Sequence, residues 1–82
     1  MYYVYVLQND KNKTIYIGYT KDLKQRIKEH RRGNTVTTKR LKTYTLVFYE
    51  AFRSKLDAKR REYYFKSTKG NSSLKQIIRE SI

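Results

Sequence analysis

Tyr2-Tyr3-Val4-Tyr5-Val6-Leu7-Gln8, then Asn9-Asp10-Lys11-Asn12-Lys13, then Thr14-Ile15-Tyr16-Ile17-Gly18-Tyr19 decide how this chain folds. The outer segments are rich in β-branched and aromatic residues, which suit a pleated, half-buried surface. The residues between them are turn formers and lysines, and Asn and Asp side chains there can bond their own backbone. An antiparallel hairpin is the predicted result. Pairing Leu7 with Thr14 would set Tyr5 opposite Tyr16 and Tyr3 opposite Gly18. Side chains alternate between faces, so Val4, Val6, Ile15 and Ile17 gather on one apolar face. Tyr3, Tyr5, Tyr16 and Gly18 share the other.

Beyond the hairpin, Thr20 can cap a helix beginning at Lys21, with Asp22 in its first turn near the positive dipole end. Leu23, Ile27 and the stem of Lys24 suit a helix ending near Arg32, with Gly33 as its left-handed stop. Asn34 to Tyr44 is polar, Thr-rich and basic, and reads as a loop. Thr45 to Phe52 reads as a third strand. Ser54-Lys55-Leu56-Asp57 resembles a capping box with Asp in place of Glu, opening a second helix to about Ser67 that Gly70 terminates. Ser72 to Ser81 reads as a final helix with Leu74, Ile77 and Ile78 on its apolar side. The order strand-strand-helix-strand-helix-helix predicts an α+β fold: a three-stranded antiparallel sheet flanked by helices, in one domain over residues 1–82.

Composition narrows the partners. Twenty Lys and Arg against seven Asp and Glu give a net charge of +13, and nine tyrosines carry much of the apolar content. A basic chain of this kind gains binding energy by releasing counterions from phosphates, which makes nucleic acid the expected partner. A membrane surface fits less well, because no basic helix has a clean apolar face. The absence of cysteine removes disulfides and thiolate chemistry, and a lone histidine leaves no structural zinc site. The first residues show neither a basic n-region nor a long apolar run, so a soluble, cytoplasmic protein is expected.

Arg26 and His30 lie four residues apart and share a helix face. A helix that follows the second strand directly can set that face over Tyr5 and Tyr16. Phosphodiester hydrolysis has a use for each group. A guanidinium offers paired donors to phosphate oxygens. A phenol, with an ordinary pKa of about 10, becomes a base only where positive charge eases its ionisation. A neutral imidazole can take a proton from the phenol or orient the water. A divalent metal would need a carboxylate. Asp10, Asp22, Glu29, Asp57 and Glu80 read as turn, first-turn or solvated positions. Glu62, close to the apolar side of the second helix, is the first choice, and Glu50 the reserve. Each piece also has a plain packing reading: tyrosine favours strands, a histidine on a basic helix is commonly a surface residue, and Glu62 could neutralise Arg26 or Arg61.

Tyr3-Val4-Tyr5, then Tyr16-Ile17-Gly18, Arg26 and His30, resembles the GIY-YIG nuclease superfamily. The similarity is greatest to small members related to the nuclease domain of the repair excinuclease and to structure-specific junction nucleases. It takes in Leu46-Val47-Phe48-Tyr49-Glu50 and the helix carrying Ala58, Arg61-Glu62 and Lys66. The resemblance implies that Tyr5 and Tyr16 lie in the active site, one of them as general base. It further implies that Arg26 contacts the scissile phosphate, that His30 assists proton transfer, and that Glu62 binds one divalent metal, Mg²⁺ or Mn²⁺. Many such nucleases carry a late asparagine in the site. Asn71 is the nearby candidate here, although capping the final helix is the better reading of it. Tyr-Val-Tyr replaces Gly-Ile-Tyr in the first motif, with the functional Tyr5 kept.

These readings predict metal-dependent hydrolysis of DNA by a repair-type or structure-specific endonuclease. The rival is a binding module, for DNA or RNA, with weak or no catalysis. Lys21, Lys24, Lys28, Arg31, Arg32, Lys39, Arg40 and Lys42 would supply phosphate contacts that are strongly salt-dependent and weakly sequence-selective. DNA is favoured over RNA by the resemblance. With no specificity element of its own, the domain is expected to draw specificity from a protein partner or a dimer.

Overall fold

The structure is a computed structural model that describes residues 1–32 and 43–82. Strands β1 (Tyr2–Asn9), β2 (Ile15–Thr20) and β3 (Tyr44–Phe52) form one antiparallel sheet in the order β2-β1-β3. Helix α1 (Leu23–Arg32) follows β2, and α2 (Lys55–Lys66) and α3 (Thr68–Ile77) follow β3. The predicted α+β order holds.

The hairpin register differs from the expected one by two residues. Tyr5 faces Gly18, Leu7 faces Tyr16 and Tyr3 faces Thr20. A slip of two preserves every side chain's face, whereas a slip of one would have inverted the sheet. The cause lies in the loop, where Asn9 Oδ1 accepts from the Lys11 and Asn12 amides and Lys13 takes a left-handed φ of 66°. That turn consumes Thr14 as a connector, so β2 begins at Ile15. On the β3 side Val6 faces Phe48 and Leu7 faces Leu46, so a bulge at Val47 absorbs one residue.

One sheet face carries the core. Val4, Val6 and Ile17 pack against Ala58 and Phe65 of α2 and Leu74 of α3, with Ile78 just beyond it. Glu50, on the same face of β3, takes two hydrogen bonds from Arg61 of α2, at 2.8 and 3.3 Å. Ile77, placed on the apolar side of the last helix by its sequence, is half-exposed instead, while Leu74 and Ile78, four residues apart, are buried.

Two caps and one glycine depart from the sequence reading. Thr20 Oγ1 accepts from the Asp22 amide at 3.1 Å, so it closes a turn before the helix. Asp22 itself then caps α1, its carboxylate accepting from the Gln25 amide at 3.1 Å. Ser54 caps α2 as expected, accepting from the Asp57 amide. Ser67, however, ends α2 and starts α3 at once: its hydroxyl donates to the Tyr64 carbonyl at 2.6 Å and accepts from the Gly70 amide at 3.0 Å. Gly70 therefore stands inside α3 and stops nothing. Its role is close approach, since a Cβ there would lie 1.8 Å from the Tyr64 carbonyl oxygen. Asn71 is likewise within α3 and donates to the Phe65 carbonyl rather than capping a helix. The Gly33 stop and the basic loop from Asn34 lie outside the described residues.

Candidate active site

The sheet face opposite the core bears Tyr3, Tyr5 and Leu7 of β1 with Tyr16, Gly18 and Thr20 of β2. Helix α1 lies over it and delivers His30 between the two tyrosines. Ring centroids are 5.8 Å apart for Tyr5 and His30, 5.9 Å for Tyr16 and His30, and 6.3 Å for Tyr5 and Tyr16. Three rings thus close a triangle across β1, β2 and α1. Gly18 makes the triangle fit. A Cβ at that position would sit 2.4 Å from the Tyr5 Cζ and hydroxyl, so only glycine lets the phenol cross β2.

Tyr5 is fully buried and His30 is 4% exposed. The Tyr5 hydroxyl and His30 Nε2 stand 3.1 Å apart. The phenol donates when the ring proton is on Nδ1 and accepts when it is on Nε2. His30 Nδ1 is buried with no partner among the described residues, so this pair is the ring's one polar anchor.

Burial pushes the Tyr5 phenol up to about 12, aided by the neighbouring Tyr16 and opposed by the Arg26 guanidinium. Burial also holds His30 below its ordinary 6.5, with the Arg26 charge acting in the same direction and Glu29 against it. Arg26 therefore acts on both groups, in the sense expected of a cation beside them. Its Nε is tied to Glu29 Oε1 at 3.2 Å, one helical turn on, which orients the guanidinium.

The depressed His30 pKa carries a stability signature. The folded state prefers neutral imidazole, so its contribution is complete above about 6.5 and declines as pH falls from there towards the folded value. Urea midpoints for the wild type should drop in that window, and His30→Phe should flatten the drop. Equal slopes for both proteins would contradict the assignment.

The carboxylates sit elsewhere. Glu62 belongs to α2, on the other side of the sheet, with its side chain 16% exposed and bound by Lys66 at 2.9 Å and Lys59 at 3.5 Å. The Arg26 and Arg61 pairings considered for it from sequence go instead to Glu29 and Glu50. With both its oxygens engaged by Arg61, the reserve ligand Glu50 has a structural partner. Among the described residues no three His, Asp or Glu side chains gather into a metal cage. Glu62 alone still suits Mg²⁺, which retains most of its waters and takes one or two carboxylates with phosphate oxygens. Two lysines beside that carboxylate would first have to yield.

Four of the expected phosphate contacts share one place. Lys21, Lys24, Lys28 and Arg31 line a groove between α1 and β3. Lys39, Arg40 and Lys42 lie outside the described residues, as does the side chain of Arg32. Sequence reasoning missed Tyr3 and Tyr49, which line the same groove. The signal was available, because both fall on the Tyr5 face once β3 is paired with β1.

Residues 1–76 match the family described as GIY-YIG catalytic domain. A UPF0213 protein of Clostridium perfringens is 39% identical over 83 residues, which covers 100% of this chain and 88% of that protein. A UPF0213 protein of Staphylococcus haemolyticus is 38% identical over 77 residues, 93% of each chain. The solution NMR structure of a UPF0213 protein from Bacillus halodurans resembles this fold with a TM-score of 0.56 at 32% identity, covering 94% of this chain and 85% of that one. No helix among the described residues is long and apolar enough to cross a membrane.

Proposed function

The chain belongs to the GIY-YIG catalytic domain family through residues 1–76, and from that premise we propose that it is a metal-dependent endonuclease that hydrolyses DNA phosphodiesters. The observation that carries the proposal is the closed triangle of Tyr5, Tyr16 and His30, with Arg26 acting on its members. A packing role alone would not require a neutral buried imidazole held by one phenol beside a guanidinium.

Roles follow from accessibility and charge. Tyr5 is closed to solvent and holds its proton, so it positions His30. Tyr16 is half-buried and is the phenol that a substrate-bound water can reach. Tyr16 acts as general base, taking the proton of the attacking water as its own hydroxyl proton passes to neutral His30. Arg26, held at Nε by Glu29, offers its Nη groups to the scissile phosphate and stabilises charge that grows in the transition state. Glu62 would be the carboxylate for a divalent cation, whose chemistry when bound is to supply positive charge to a phosphate. It lies across the sheet from the triangle, so the roles of Tyr5, Tyr16, His30 and Arg26 do not pass through that ion.

The binding-module reading has one observation in its favour: two lysines already neutralise Glu62. Glu62→Gln separates the two readings. Under the nuclease reading, cleavage of duplex, flap or junction DNA in Mg²⁺ or Mn²⁺ falls at least a hundredfold, on the order of the loss from one electrostatic group in a catalytic site, while gel-shift affinity survives. Under the rival, the substitution changes little, and affinity holds or tightens.

A further inference from the structure

We propose that the groove between α1 and β3 is a subsite for an unpaired nucleotide, so that the protein grips single-stranded nucleic acid beside its phosphodiester site. The inference deepens the nuclease reading by naming the structure of the strand. The α1 helix presents two separate stripes. Arg26 and His30 face the tyrosine triangle. Lys24, Lys28 and Arg31, spaced by four and three residues, face β3 on the other flank.

The groove has a volume of about 550 Å³, within the range that accepts a small-molecule-sized group. Its floor is apolar and aromatic, with Ile27 and Leu46 beside Tyr3 and Tyr49. The two tyrosine rings meet edge to face with centroids 6.1 Å apart. That contact leaves Tyr49 52% exposed, a large aromatic surface with no cover among the described residues. Asp22 is the groove's one acid, and its carboxylate is engaged in capping α1. A rim of cations around an aromatic floor matches one ligand chemistry: a base stacked on a ring with its phosphates on the rim. Bases paired and stacked inside a duplex cannot present a face to such a floor, whereas an unpaired base can. Tyr3 lies two residues before Tyr5 on the same sheet face, so the groove adjoins the site and would seat a nucleotide next to the bond to be cut.

The test is fluorescence anisotropy in EDTA, where no cleavage can occur. Labelled oligothymidylate, oligouridylate and a DNA duplex of equal length would be titrated at one fixed salt concentration with the full chain. Wild type should prefer single strands. Tyr49→Ala should weaken single-strand binding about tenfold, the scale of one lost stack, and leave duplex binding within about twofold. Tyr49→Phe should retain the preference, and Tyr63→Ala, at an 81% exposed tyrosine on α2, should change nothing. Circular dichroism would verify that each variant is folded. Oligodeoxyuridylate, matched to oligouridylate in its base, would be titrated alongside, and the ratio of those two affinities assigns the sugar. Equal losses on single strand and duplex, or no loss from Tyr49→Ala, would overturn the subsite. Because no metal or turnover is involved, a failed cleavage assay would refute the nuclease reading and leave this result standing.

Discussion

Arg26→Ala is expected to slow single-turnover DNA cleavage by about 10²–10³-fold while leaving affinity for the same DNA within a few-fold. The guanidinium is the charged group that acts on both Tyr5 and His30, opposing the burial that raises one and adding to the burial that lowers the other. Under the proposed mechanism its removal deletes a paired phosphate donor and a positive charge beside the reacting phosphate. Binding should change little, because Lys21, Lys24, Lys28 and Arg31 would still offer phosphate contacts, each contributing modestly. The activity profile should also move. Without Arg26, one of the two causes that depress His30 disappears, so the acid limb of the remaining activity should shift towards the ordinary imidazole value. Lysine at this position should restore part of the charge and none of the paired geometry, and so recover only a fraction of the rate. Equal loss of binding and cleavage would make Arg26 a phosphate anchor and nothing more.

Gly18→Ala is expected to destabilise the protein by about 2–3 kcal/mol, within the cost of overpacking a closed interior. The new Cβ would stand 2.4 Å from Tyr5 Cζ and from its hydroxyl. A ring tip can often swing aside, but this one is fully buried and its hydroxyl is bound to His30. Moving it breaks that bond and opens the triangle, so cleavage should fall together with stability. For a domain of this size the change corresponds to roughly 10–20 °C in Tm. Tyr5→Ala in the same background should relieve the clash, giving a double mutant more stable than additivity predicts. A thermal melt unchanged by Gly18→Ala would mean that Tyr5 does not cross β2 at this glycine.

How much of this was readable from the residues varied with the range of the interaction. Alternation of Val4 and Val6 against Tyr3 and Tyr5 is a local property of a strand, and it assigned the two faces correctly. The register is set by loop geometry, in which Lys13 takes a left-handed conformation that its side chain does not advertise. A glycine inside a strand does signal a close approach, but only the observed pairing reveals that Tyr5 is the approaching group. Arg26 and His30 were legible because helical spacing puts them on one face. Glu62 is legible as lying close to the apolar side of its helix, and Lys59 and Lys66, three residues before and four after it on the same helix, are its partners by helical spacing. The α2–α3 junction was misread because Gly70 looked like a helix stop. One serine, Ser67, ends the first helix and caps the second, and the glycine is needed for backbone proximity instead. Asp22 takes the cap expected of Thr20 for a similar reason, since either can cap and the turn after β2 decides between them.

The central claim is that the triangle of two phenols and one imidazole, with Arg26 beside it, cuts phosphodiesters. Its most direct test is single-turnover incubation of the full chain with labelled duplex, single-stranded, flap and four-way-junction DNA and one structured RNA, in Mg²⁺, Mn²⁺ or EDTA, with Arg26→Ala run in parallel. The predicted result is cuts that require the metal, favour substrates with an unpaired segment and collapse in the variant. A folded wild-type protein that shifts every substrate in a low-salt gel and leaves every strand intact would contradict it.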